Sequence, residues 1–181
     1  MKKLLVVASL FVCLIVAQSL FSNNVVSKDY EEDVKNEVME QQAHSARKID
    51  LLLEELEVLL GEKYDLYFAG SWLGGDDYLD PYVGLTIITP EIEAMAKNRG
   101  VNLVKHKYSY KELHDLALDY FISNFIEGSA DNFIQASGVD EILNKVELTV
   151  YRFDDLKKEN PELYKKITTD DRVFIIFADE N

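Results

Sequence analysis

The sequence predicts an α+β protein, a mainly antiparallel sheet with helices packed on one side, preceded by a long amphipathic helix. Apolar residues recur at helical spacing up to Leu60, in a stretch without Pro or Gly from Ser27 onward. Beyond Gly61 the spacing changes to alternation, and turn and capping residues divide the chain into short elements in the order β-β-α-β-α-β-α-β.

Tyr30, Val34, Val38, Ile49, Leu52, Leu53, Leu56, Leu59 and Leu60 make the stripe of the first helix, and Gly61 ends it. Its half from Asp29 to Ser45 is polar and reads as a stalk; the Leu-rich half is expected to pack on the domain. Tyr64, Leu66, Phe68 and Trp72 then alternate with Asp65, Tyr67, Ala69 and Ser71, which predicts a half-buried strand. Gly74, Gly75, Asp76 and Asp77 turn the chain into a returning strand from Tyr82 to Thr89, with Val83, Leu85 and Ile87 on one face. Pro90 and Gly100 bracket a short helix over Glu91 to Asn98.

Val101 to Tyr108 is the third strand. It leads into Ser109-Tyr110-Lys111-Glu112, a capping box that starts a helix with the stripe Leu113, Leu116, Ala117, Tyr120 and Phe121, ended by Gly128. After an irregular stretch, Val146, Leu148 and Val150 mark a fourth strand. Asp154 to Lys166 reads as helix with a break before Pro161, and Arg172 to Ala178, apolar on both faces, reads as a central strand.

Lys2 and Lys3 precede an apolar run from Leu4 to Ala17, and Ala17-Gln18-Ser19 offers an A-x-S cleavage site. This is the pattern of an export signal, with an uncleaved N-terminal anchor as the other reading. The expected division is a signal over 1–19, a helical segment over 20–61 and an α+β domain over 62–181, in a secreted or cell-surface protein. The single cysteine, Cys13, lies inside the signal, so the exported part has no disulfide and depends on an ordinary core, as fits a bacterial exported protein.

The chain carries a net charge of −14, and its signal holds only basic charges, so the exported part is more acidic still. Such a field repels phosphate backbones and anionic lipid, which argues against nucleic-acid partners; it suits a basic partner or a solvated surface. Only His44, His106 and His114 offer a neutral-pH base, and none lies in a hydrolase motif, so a non-enzyme without a cofactor is expected. Asp76, Asp77 and Asp80 gather carboxylates around the Gly74 turn. Their spacing is not that of an EF-hand, and a solvated turn is the simpler reading. Trp72, Tyr78, Tyr82 and Tyr108 suit a peptide or sugar groove, or simply sheet face and core.

Phe68-Ala69-Gly70-Ser71-Trp72-Leu73, the strand from Tyr82 to Thr89, Tyr108-Ser109-Tyr110-Lys111-Glu112-Leu113, Gly138-Val139-Asp140 and Asn144 to Val150 follow one another in an order that resembles the propeptide domain of secreted chymotrypsin-like serine proteases of the alpha-lytic type. The resemblance covers most of residues 64 to 151. It implies a domain that docks its sheet against a protease and templates or inhibits it, through Trp72, Tyr82 and the acidic tail Ala178, Asp179, Glu180 and Asn181. The Gly74 to Asp80 turn is longer than the family pattern, and no protease follows Asn181, so the implied partner is a separate protease. A cell-surface or extracellular-matrix binding domain, and a hydrolase with an unrecognised site, are the other function classes.

Overall fold

The computed structural model describes residues 28–75, 77–126 and 133–178. The expected signal over 1–19, Asp76 and the tail Asp179, Glu180 and Asn181 lie outside the described residues. The chain divides into two compact units, Met1–Val38 and Met39–Asn181. Helix α1, Lys28–Leu60, runs from the first into the second, and both sheets belong to the second.

After α1 come a 3-10 turn over Gly61–Lys63, a short helix α2 over Tyr64–Tyr67, strands β1 (Phe68–Gly74) and β2 (Asp80–Leu85), helix α3 (Pro90–Arg99) and strand β3 (Asn102–Lys105). Helix α4 (Tyr110–Ile126), strands β4 (Ile134–Asp140) and β5 (Lys145–Val150), helices α5 (Phe153–Glu159) and α6 (Pro161–Thr169) and strand β6 (Val173–Phe177) complete the described chain. The class is α+β, but the strands form two three-stranded sheets, β1-β2-β3 and β4-β5-β6. Each has an antiparallel hairpin and a third strand parallel to its neighbour, so both are mixed rather than mainly antiparallel. The cause is that helices connect β2 to β3 and β5 to β6, and such a crossover returns the chain in a parallel sense.

The two halves repeat one α-β-β-α-β plan. Each opening strand carries a bulge near its start, between Phe68 and Gly70 and between Ile134 and Ala136. Thr86 N donates to the carbonyl of Tyr67 and Tyr151 N to that of Phe133, both at 2.8 Å; His106 N donates to Leu85 O and Ala178 N to Val150 O, both at 2.9 Å. Each crossover helix also begins alike. The Thr89 hydroxyl accepts from Ile92 N at 3.3 Å ahead of Pro90, and the Asn160 side chain accepts from Leu163 N at 3.0 Å ahead of Pro161.

Each sheet buries one face under its own helices. Ile49, Leu52 and Leu56 of α1 join Val83, Leu85, Ile92, Ala96 and Val101 in the first core. Leu113, Ala117 and Tyr120 of α4 join Val146, Leu148, Val150, Leu156 and Ile167 in the second. The predicted first strand starts four residues later than its alternation suggests, because Tyr64–Tyr67 close a helical turn. The bulge then moves Phe68 and Leu73 onto the core side and sends Trp72 to the opposite face. Strand β4 occupies part of the stretch read as irregular. Strand β6 is an edge strand, not a central one: its outer face carries apolar residues that nothing in its own sheet covers.

Candidate functional site

The outward face of the first sheet is an aromatic platform built around glycine. Trp72 and Tyr82 are cross-strand partners, and their rings stack with centroids 5.6 Å apart and planes 4° from parallel. The next row across β1 and β2 is Gly70 opposite Gly84, bare enough for side chains to lie on the main chain. His106, just past β3, lies there with its ring 5.7 Å from that of Trp72. A Cβ on Gly84 would collide with its imidazole.

The second repeat reaches this face through its hairpin turn. Glu141, between β4 and β5, packs over Gly70, where an added Cβ would come 2.7 Å from the Cβ of Glu141. Its Oε2 accepts from Ser71 N at 2.5 Å. The turn is braced by Asp140 Oδ1, which accepts from Ile142 N at 2.9 Å and Leu143 N at 2.8 Å. Asn144 closes it: Oδ1 accepts from Lys107 N at 3.1 Å and Tyr108 N at 2.9 Å, and Nδ2 donates to Tyr108 O at 2.9 Å. Asn144 sits at φ 53, a left-handed conformation Asn tolerates better than most residues. It is 6% exposed.

Burial dominates the electrostatics of this junction. It raises the Glu141 carboxyl above its ordinary range; the Ser71 amide opposes the rise and the nearby charge of Asp140 adds to it. Burial also holds the His106 imidazole below its ordinary value, opposed by a hydrogen bond to the main chain of Glu141. His106 Nε2 is buried and, among the described residues, has no hydrogen-bond partner. His106 is therefore committed to packing between the repeats. His114 is exposed on α4 and stacks on Tyr110, centroids 6.0 Å apart.

The capping box forms in one direction. Glu112 N donates to Ser109 Oγ at 3.2 Å, while the Glu112 carboxylate lies 3.5 Å from Arg172 Nη1. Arg172 is held more closely by Asp170, at 2.8 Å, whose carboxyl that ion pair pulls down to about 2.

Of the residues proposed from sequence to bind a partner, Trp72 and Tyr82 meet in the first sheet. Ala178 lies just past the last strand of the second sheet, at the position His106 holds in the first, and the tail beyond it lies outside the described residues. In the Gly74 turn, Asp77 and Asp80 are exposed, and Asp77 O accepts from Gln42 Nε2 at 3.4 Å. The Asp80 carboxylate folds back over Gly75, where it leaves no room for a Cβ. Among the described residues no group of three or more His, Cys, Asp or Glu side chains is arranged to hold a metal ion.

The second sheet's outward face differs from the first. Its rows are Gly138, Glu147 and Phe174, then Ala136, Thr149 and Ile176, so the hairpin contributes little bulk and the edge strand contributes most. On this face Phe174 is 42% exposed and Ile176 37%; Phe177, in register with buried Val150, lies on the other face against Phe153, with centroids 5.0 Å apart. The apolar run from Arg172 to Ala178 predicts a central strand, whereas β6 is an edge strand with its outward face open. Glu141, Ser71 and Asn144 were also missed, although Gly70 and Gly84 inside strands were a readable signal of close approach.

Among the described residues no helix is long and apolar enough to cross a membrane. No protein-family model matches the chain, and no curated protein matches it at a significant level.

Proposed function

We propose that this chain is an exported, non-catalytic protein-interaction module that binds a partner through the outward face and edge of its second sheet. The observation that carries the reading is β6, where Phe174 and Ile176 stand exposed two residues apart on the outward face. Apolar side chains grouped this way on a strongly acidic protein cost solubility unless something covers them. The first sheet's face is already occupied by Glu141 and His106, which leaves the second as the open one. The resemblance to protease propeptides makes a secreted chymotrypsin-like serine protease the first partner to test, as a target of inhibition or of folding assistance.

The test is to immobilise residues 20–181 and pass exported proteins of the same organism over them, beside a Phe174→Lys, Ile176→Lys double variant. A protease retained by the parent protein and lost from the variant, with the variant's melting temperature within a few degrees of the parent's, supports the reading. Equal retention by both, or retention of cell-wall glycan alone, rejects it and favours a surface-binding role.

A further inference from the structure

Strand β6 has two binding resources, and the main-chain one is the more specific. Val146 N donates to Arg172 O at 2.7 Å, and Ala178 N donates to Val150 O at 2.9 Å. The main-chain groups of even-numbered residues of β6 therefore face β5, and those of Ile175 and Phe177 face the free edge. The sheet order places no described strand beyond them. Soluble proteins commonly guard such an edge with charge, proline or a bulge. The equivalent edge in the first sheet, β3, is short and includes Lys105, whose Nζ folds onto Thr86 O. In β6 the sequence Val-Phe-Ile-Ile-Phe has none of these guards, and its pairing with β5 is regular.

We propose that the edge of β6 accepts an extended segment of a partner protein as a fourth strand, and that the segment is apolar with basic flanking residues. This rests on the interaction reading above and adds the binding mode and the partner's chemistry. Charge selects the occupant. Glu147 shares the outward row with Phe174, and Asp179 and Glu180 follow the strand in sequence; Asp171, just ahead of it, is already paired with Lys107 at 2.7 Å. The nearby Arg172 is already neutralised by Asp170. A second copy of the chain would also carry a net charge of −14, so like charge opposes pairing between copies, whereas a basic strand gains from the field.

The experiment measures binding of a short peptide alternating Ile and Lys to the purified protein, with amide hydrogen exchange followed by NMR. Its counterpart with Glu for Lys tests charge, and the Lys peptide N-methylated at every amide, which blocks both of its edges, tests strand addition. Expected results are exchange protection appearing at Ile175 and Phe177, roughly tenfold tighter binding of the Lys peptide than of the Glu peptide, weaker binding in high salt, and loss of binding on N-methylation. Undiminished binding of the N-methylated peptide, equal binding of both charge types, or no binding overturns the proposal. So does protection of Ile175 and Phe177 that rises with protein concentration alone, which would assign the edge to a second copy. The outcomes separate from those of the column. A partner retained through Phe174 and Ile176 without peptide binding rejects strand addition alone; peptide binding without any retained protein rejects the wider reading alone.

Discussion

The amide of Ser71 in the first repeat donates to the carboxylate of Glu141 in the second at 2.5 Å, and this bond forms above Gly70, whose missing side chain makes the approach possible. One chain thus fastens two similar halves by a carboxylate set against main chain.

That fastening predicts a pH dependence. The folded protein raises the Glu141 carboxyl above its ordinary 4.5, chiefly by burial, so it binds protons more readily there than in the unfolded chain. Stability from the neutral form is complete below about pH 4.5 and is lost as pH rises through the folded value. Glu141→Gln keeps an oxygen for Ser71 and removes the charge. Its melting temperature relative to the parent is expected to be higher at pH 7 than at pH 4, by a few degrees, on the scale of roughly 2–4 °C per kcal/mol for a domain of this size. His106, lowered by burial, works in the opposite sense and affects both proteins, so the difference between them isolates Glu141. A difference that is flat with pH, or of the opposite slope, means the carboxyl is not titrating in a desolvated site.

The element order was largely legible because it depends on local chemistry: Thr89 and Pro90, Ser109, and Asn160 and Pro161 mark helix starts wherever they occur. Of the strand pairings, the hairpin through the Gly74 turn was legible and the others were not. Gln135-Ala136-Ser137-Gly138 shows no useful alternation because the outward side of β4 is exposed and has little to bury, so the strand escaped notice and the second hairpin with it. Val173 to Phe177 was apolar on both faces, which usually means a central strand; here the outward face stands open. The repeat itself was hidden because equivalent positions differ in chemistry, Trp72 against Gly138 and Gly84 against Thr149. What the halves share is backbone: a bulge, a register and a capped crossover helix.

Two glycines distinguish packing from mere tolerance. Gly84 lies under His106 and Trp72, so Gly84→Ala drives a methyl group into the imidazole and is expected to cost about 1–3 kcal/mol, the usual range for overpacking. Gly138 has nothing within 4 Å of an added Cβ, and Gly138→Ala is expected to change stability by less than about 0.5 kcal/mol. Urea unfolding of both variants decides. Similar losses at both sites would show that the first sheet's glycines are not there to admit His106.

Asn144 gives the strongest test of how the halves are joined. Its side chain satisfies two main-chain donors and one acceptor in the segment that leads from β3 into α4, and it does so from a left-handed backbone. Asn144→Gly suits that backbone but orphans the Lys107 and Tyr108 amides, at about 1–3 kcal/mol for each one that water cannot reach. Asn144→Ala loses the same bonds and adds about 1 kcal/mol of backbone strain. The expected order of stability is parent, Gly variant, Ala variant. Calorimetry is expected to show the second core, with Leu148 and Tyr120, melting apart from the first in the Ala variant, since the clamp that couples them is gone. Variants that both stay within about 0.5 kcal/mol of the parent and melt in one transition would mean that α4 and Glu141 suffice to hold the repeats together.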